Sequence, residues 1–177
     1  MTDQLNRARS LIREIPNYPV PGIRFQDLTP LLADGEAFST VIDELSHQLI
    51  GCEIVAGIEA RGFIFGAALA HHLSIGFVPI RKKGKLPHLT HSQNYGLEYG
   101  QDEIQIHQDA LKVGSKVLLV DDVLATGGTA AAAVTLVKKA GGSMIGFVSV
   151  LEIAGLFGRE KLQAEFPHLP INTLFRI

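Results

Sequence analysis

Val117-Leu118-Leu119-Val120-Asp121-Asp122-Val123-Leu124-Ala125-Thr126-Gly127-Gly128-Thr129 decides how the rest of the chain is read. Its apolar start predicts a short buried strand over 116–120. That strand delivers two adjacent carboxylates, then a turn of small residues, then an Ala-rich helix expected over 128–140. Glycines in such a turn let backbone N–H groups point inward with no Cβ in the way. With the positive end of the following helix, those groups form an anion site suited to a phosphate. Thr126 and Thr129 add hydroxyl donors. Asp121 and Asp122 stand a sugar's breadth from the turn, where they would accept from vicinal hydroxyls or hold a hydrated magnesium ion. Rival phosphate motifs fail on spacing: no G-x-x-x-x-G-K-[ST] is present, and no G-x-G-x-x-G follows a strand.

Outward from this corner, short apolar runs at 53–58, 76–80, 144–151 and 171–177 read as strands. Between them, 63–73 has a helical pattern, and Phe38, Val41, Ile42, Leu45 and Leu49 make one helical face after Asp34-Gly35. Such alternation predicts an α/β fold with a central, mostly parallel sheet flanked by helices. Ligands of such sheets bind beyond the carboxyl ends of the strands. The strand ends at Glu59-Ala60-Arg61-Gly62, Arg81-Lys82-Lys83, Asp121-Asp122 and Glu152 are therefore expected to share one crevice. At the start of the chain, Leu5, Ala8, Leu11, Ile12 and Ile15 predict an amphipathic helix ended by Pro16. The stretch 16–30 reads as irregular, and 86–105 as a long polar loop bordered by strands.

Composition narrows the function classes. A length of 177 residues with 46% hydrophobic and 19% charged residues describes one folded domain, expected over 1–177. Sixteen Lys and Arg against eighteen Asp and Glu argue against a generic nucleic-acid binder. The single Cys52 forms no intrachain disulfide, and no cysteine cluster exists to hold zinc. No run approaches the ~20 apolar residues of a membrane span, and the charged N-terminal stretch is unlike a signal peptide. A cytoplasmic protein with neither nucleic acid nor membrane as partner is expected.

The 117–129 stretch resembles the phosphoribosyl-diphosphate motif of the type I phosphoribosyltransferases. Further segments are similar to the adenine-using members of that family: Tyr18-Pro19-Val20-Pro21-Gly22-Ile23, Arg61-Gly62-Phe63, Gly84-Lys85-Leu86-Pro87, Leu97-Glu98-Tyr99-Gly100 and Gly158-Arg159-Glu160-Lys161-Leu162. The resemblance implies the family's fold, with a small N-terminal hood over 1–33 and a mobile lid loop over 85–103. It implies transfer of a 5-phosphoribosyl group from phosphoribosyl diphosphate to adenine in purine salvage, by a homodimer. Magnesium is the implied cofactor, held mainly through substrate with no direct protein ligand. Ala125, Thr126, Gly127, Gly128 and Thr129 would cradle the 5′-phosphate, while Asp121 and Asp122 meet the ribose hydroxyls. Arg61, Arg81 and Lys85 would bind pyrophosphate. Ile23, Phe25 and Leu156 would enclose adenine, with Phe25 and Leu156 as its two faces. The implied catalytic groups are Glu98, taking the proton that adenine sheds, and Arg61. Relatives also carry a non-proline cis peptide at the position of Glu59–Ala60. Arg24 and Gln26 depart from the family pattern, and Glu59 has an alternative reading as partner to a backbone group.

Overall fold

In the computed structural model, which describes residues 2–47, 51–96 and 101–177, two helices near the start of the chain begin at a capping side chain. Thr2 accepts from the Leu5 amide and opens α1 (Asp3–Ser10). This helix stops earlier than the apolar spacing predicts. Ile12 and Ile15 leave it, and Arg13–Pro16 forms β1, antiparallel to β2 (Arg24–Asp27). The 16–30 stretch is thus partly regular. Cross-strand charge holds this ribbon together. Arg13 lies 2.6 Å from Asp27 and Arg24 lies 2.6 Å from Glu14. The two departures from the family pattern meet here, because Gln26 also donates to Glu14. Asp27 has its pKa lowered to about 2, first by the Thr29 hydroxyl and amide and then by Arg13.

A short α2 (Thr29–Ala33) leads to Asp34, whose carboxylate accepts from the Ala37 amide at 2.9 Å and caps α3 (Gly35–Ser46). The predicted apolar face is real: Val41, Ile42 and Leu45 are buried. Leu49 lies outside the described residues. These elements make one compact unit, Met1–His47; Gln48–Ile177 makes the other.

In the second unit the chain runs through β3 (Ile54–Ile58), α4 (Gly62–His72), β4 (Gly76–Lys82), β5 (Thr90–Gly96) and β6 (Gln101–His107). It continues through β7 (Lys116–Leu124), α5 (Gly128–Lys139) and β8 (Ser143–Glu152). A 3-10 turn, α6 (Gly158–Glu165) and β9 (Ile171–Arg176) complete it. Among the described residues these strands form a seven-stranded sheet in the order β5-β6-β4-β3-β7-β8-β9. From β4 to β9 it is parallel, and β6 and β5 add antiparallel edges. The core lies against it, built from residues such as Ile58, Leu119, Val134, Leu136 and Phe147. No described helix is long and apolar enough to cross a membrane.

Three sequence readings need correcting. The expected loop of 86–105 holds two paired strands, with Thr90 opposite His107 and Gly96 opposite Gln101. The polar run 90–96 hides β5, because an edge strand exposes much of its surface; in β6, Ile104, Gln105 and Ile106 are buried in succession, which no alternation of apolar residues announces. β7 runs on through both aspartates to Leu124, held by its parallel pairing with β8. α6 was read only as a family motif and not as a helix.

Order and direction together locate a switch point. From β3 the chain crosses to β4 on one side, whereas from β7 it crosses to β8 on the other. Right-handed crossovers then place α4 and α5 on opposite faces and leave a crevice beyond β3 and β7.

Candidate active site

Everything that follows β3 and β7 converges on that crevice. Arg61, one residue before α4, brings its Nε to 2.7 Å from Asp122 Oδ2. The contact is an ion pair without hydrogen-bond alignment. Asp122 is buried, and its amide donates to the Asp121 carboxylate at 2.9 Å. Gly62 leaves room for Asp121, since a Cβ there would stand 2.9 Å from Asp121 Oδ1. Burial raises the Asp121 pKa well above the usual carboxylate value, and the adjacent Asp122 charge raises it further. Two acids held this close at a sheet end are poised to accept hydrogen bonds from a ligand that relieves their repulsion.

Beyond them, Asp121, Val123 and the 124–130 turn line a concavity of about 60 Å³. Asp121 and Thr126 thus face one space, as the sequence requires of a sugar-phosphate site. The turn needs glycine in fact as well as by motif. Gly127 has φ +75°, and a Cβ on it would lie 2.6 Å from the Gly158 carbonyl oxygen. Only bare backbone fits at both contact points. A Cβ at Gly128 would meet Lys161 Nζ at 3.6 Å and Thr126 Oγ1 at 3.9 Å. Residues of α6 therefore back the turn, a role that sequence reasoning missed; the family motif at Gly158–Leu162 was its visible signal. Tyr95 was missed as well. Its ring reaches the same point at 3.8 Å, and its hydroxyl donates to Asp102 at 3.0 Å.

The next strand end is organised by register. Ile58 pairs with Ile80, so Glu59 and Arg81 emerge side by side. Arg81 makes a two-pronged bond to Glu59, 3.2 and 3.0 Å, and also donates to the Lys85 carbonyl. Glu59 further accepts from the Lys82 amide at 2.9 Å, and Arg81 lowers its pKa. Glu59 is thereby the structural partner of a backbone group. Arg81 is engaged with protein, and it shapes the turn that carries Lys85. The Glu59–Ala60 peptide is cis, as the family resemblance implies.

Glu152 does not open toward a ligand. It is 2% exposed, and its carboxylate is taken up by Arg159 and Thr173. The expectation that all four strand ends present groups to one crevice fails here. Leu156, 44% exposed, sits in the turn after β8. Ile23 and Phe25 belong to the first unit, where Phe25 packs edge-on against Tyr18. Glu98 and Tyr99 lie outside the described residues.

Residues 31–165 match the profile of the phosphoribosyl transferase domain. The chain belongs to that family. An adenine phosphoribosyltransferase of Bradyrhizobium sp. (strain ORS 278) is 54% identical over 168 residues, 94% of this chain and 93% of its own. The crystal structure of adenine phosphoribosyltransferase from Rhodothermus marinus is 46% identical, with a TM-score of 0.91 over 98% of both chains. The enzyme from Giardia lamblia, solved in complex with 9-deazaadenine, is 36% identical with a TM-score of 0.92 over 99% of each. Family membership accounts for the sheet order, the switch-point crevice and the acids beside the glycine turn.

Proposed function

We propose that this phosphoribosyltransferase transfers the 5-phosphoribosyl group of phosphoribosyl diphosphate to adenine, giving AMP and pyrophosphate. The observation that carries the reading is the shared concavity of Asp121 and the 124–130 turn at the switch point. Adenine as acceptor is supported by the names of the relatives and by 9-deazaadenine in the Giardia complex.

In this reading the turn's amides and the Thr126 and Thr129 hydroxyls hold the 5′-phosphate. Asp121 and Asp122 accept from the ribose hydroxyls, which replaces carboxylate repulsion with hydrogen bonds. The C1′–O bond to pyrophosphate breaks as C1′ bonds to a ring nitrogen of adenine, and the base loses one proton. Positive charge gathers on the ribose and negative charge on the departing pyrophosphate. Arg61, with Lys85 and Arg81, would stabilise the latter. Ile23, Phe25 and Leu156 would supply the apolar slot for the base. Glu98 would accept the proton. Asp121 and Asp122 fit a magnesium ion only as part of a six-oxygen shell, the remainder coming from substrate and water. When bound, the ion neutralises the pyrophosphate charge. A homodimer with a hood over 1–33 and a lid over 85–103 belongs to the same proposal.

Incubation with phosphoribosyl diphosphate, magnesium and separate samples of adenine, guanine and hypoxanthine tests it. AMP and pyrophosphate in equal amounts are expected from adenine alone. Product from another base would reassign the acceptor, and no nucleotide from any base would remove the reading. Glu98→Gln is expected to lower turnover about 10²–10⁴-fold; a variant with unchanged kcat would exclude Glu98 as the base.

A further inference from the structure

The glycine turn is only as well aimed as the helix behind it. Gly158 begins α6, and a Cβ there would collide with the Ala125 carbonyl oxygen and come within 2.9 Å of the Gly127 nitrogen. The next residue, Arg159, ties that helix start to two strands. Its Nε lies 3.1 and 3.0 Å from the two Glu152 oxygens at the end of β8. Its Nη1 donates to the Ile171 carbonyl at 2.8 Å, and its Nη2 to the Thr173 hydroxyl at 3.1 Å, both on β9. Thr173 in turn donates to Glu152 at 2.9 Å. Glu152 is 2% exposed, so the carboxylate has little water to fall back on. One guanidinium thus spans two strands and the start of α6, one covalent step from the glycine that the turn rests upon.

We infer that Arg159 is a positioning residue for the 5′-phosphate turn, acting through Gly158 to hold the Ala125 and Gly127 backbone in the orientation that receives the phosphate. The inference rests on the proposed reading of that turn. Its physical content is preorganisation. Backbone donors bind an oxyanion well only when their directions are set before it arrives, and a shift on the order of 1 Å is enough to spoil them. The first turn of α6 has no capping side-chain bond of its own, while Leu162 anchors the helix in the core one turn later. Pyrophosphate, expected at Arg61 and Lys85 after other strands, should not sense the clamp.

The test compares two ligands by calorimetry on the full chain: ribose 5-phosphate for the turn and inorganic pyrophosphate with magnesium for the cation side. Arg159→Ala should weaken ribose 5-phosphate about tenfold and leave pyrophosphate affinity within twofold, with Arg159→Lys intermediate. Gly158→Ala keeps the clamp but displaces the turn, and should show the same selective loss; Arg159→Lys, which cannot span both strands with one planar fork, carries the test if Arg159→Ala does not fold. Equal losses for both ligands, or unchanged ribose 5-phosphate affinity in folded Arg159→Ala, would overturn the inference while leaving the turn as the phosphate site. Failure of the unaltered chain to bind ribose 5-phosphate would remove the functional reading and the inference together.

Discussion

Asp121 and Glu152 lie near the carboxyl ends of neighbouring parallel strands, and they are held in opposite conditions. Around Glu152, Arg159 and Thr173 donate to the carboxylate and Arg176 stands 3.4 Å away; Arg159 leads in pulling its pKa down. Around Asp121, burial and the charge of Asp122 push the pKa up, and the Asp122 amide is a weak offset. One acid is saturated by protein and serves the fold. The other is left costly, the condition that the proposed ribose-binding role relieves. Position at a strand end does not make an acid functional; the lack of sufficient internal compensation does.

The contrast can be broken most directly by removing each acid. Glu152→Ala leaves the half-buried Arg159 without its main partner and should destabilise the fold by about 3–5 kcal/mol in urea unfolding. A loss under 1 kcal/mol would mean that the network is ornamental. At the turn, Gly127→Ala forces a Cβ onto the Gly158 backbone at positive φ. It should lower kcat/KM about 100-fold while the melting temperature moves little by comparison. Asp121→Asn should reduce kcat/KM on the order of 10–100-fold, the worth of one charge-assisted hydrogen bond. Unlike the Glu152 variant, it should raise the melting temperature, because it removes a repelling charge. A lower melting temperature would contradict the contrast.

The smallest effect is in pH dependence, and its sign differs between the two acids. The folded pKa of Asp121 lies above its ordinary 3.8, so the native state binds more protons there. Its contribution is present below that value and is lost as pH rises through the folded pKa. Glu152 is depressed below 4.5, so its contribution is present above that value and is lost as pH falls through the folded pKa. Melting curves of the unaltered chain minus those of Asp121→Asn should therefore slope downward as pH rises above 3.8. The matching difference for Glu152→Gln should slope upward with pH below 4.5. Parallel slopes would refute the distinction.

The sequence announced one of these acids and misjudged the other. Asp121 and Asp122 precede a glycine turn, and that local pattern predicts a phosphate corner before any coordinates are known. Glu152 follows an apolar strand in much the same manner, yet its partners Arg159, Thr173 and Arg176 lie 7 to 24 residues away. Nothing local distinguishes a carboxylate awaiting substrate from one awaiting arginine. The β5–β6 hairpin escaped notice for a related reason. Its first strand is polar and partly exposed, so it follows no apolar rhythm, and its pairing is completed by a partner in space.

By itself the sequence determined the strand, the acid pair, the glycine turn and the helix after it, because each depends on backbone freedom and periodicity within a few residues. It determined family and fold class by the same local signals repeated along the chain. Tertiary structure alone decided which strand ends meet at the switch point, that Arg61 faces Asp122, and that Gly158 supports the turn. Those outcomes depend on register and on backbone approaching backbone across distant segments, and electrostatic cost is settled only when every neighbour of a charge is in place.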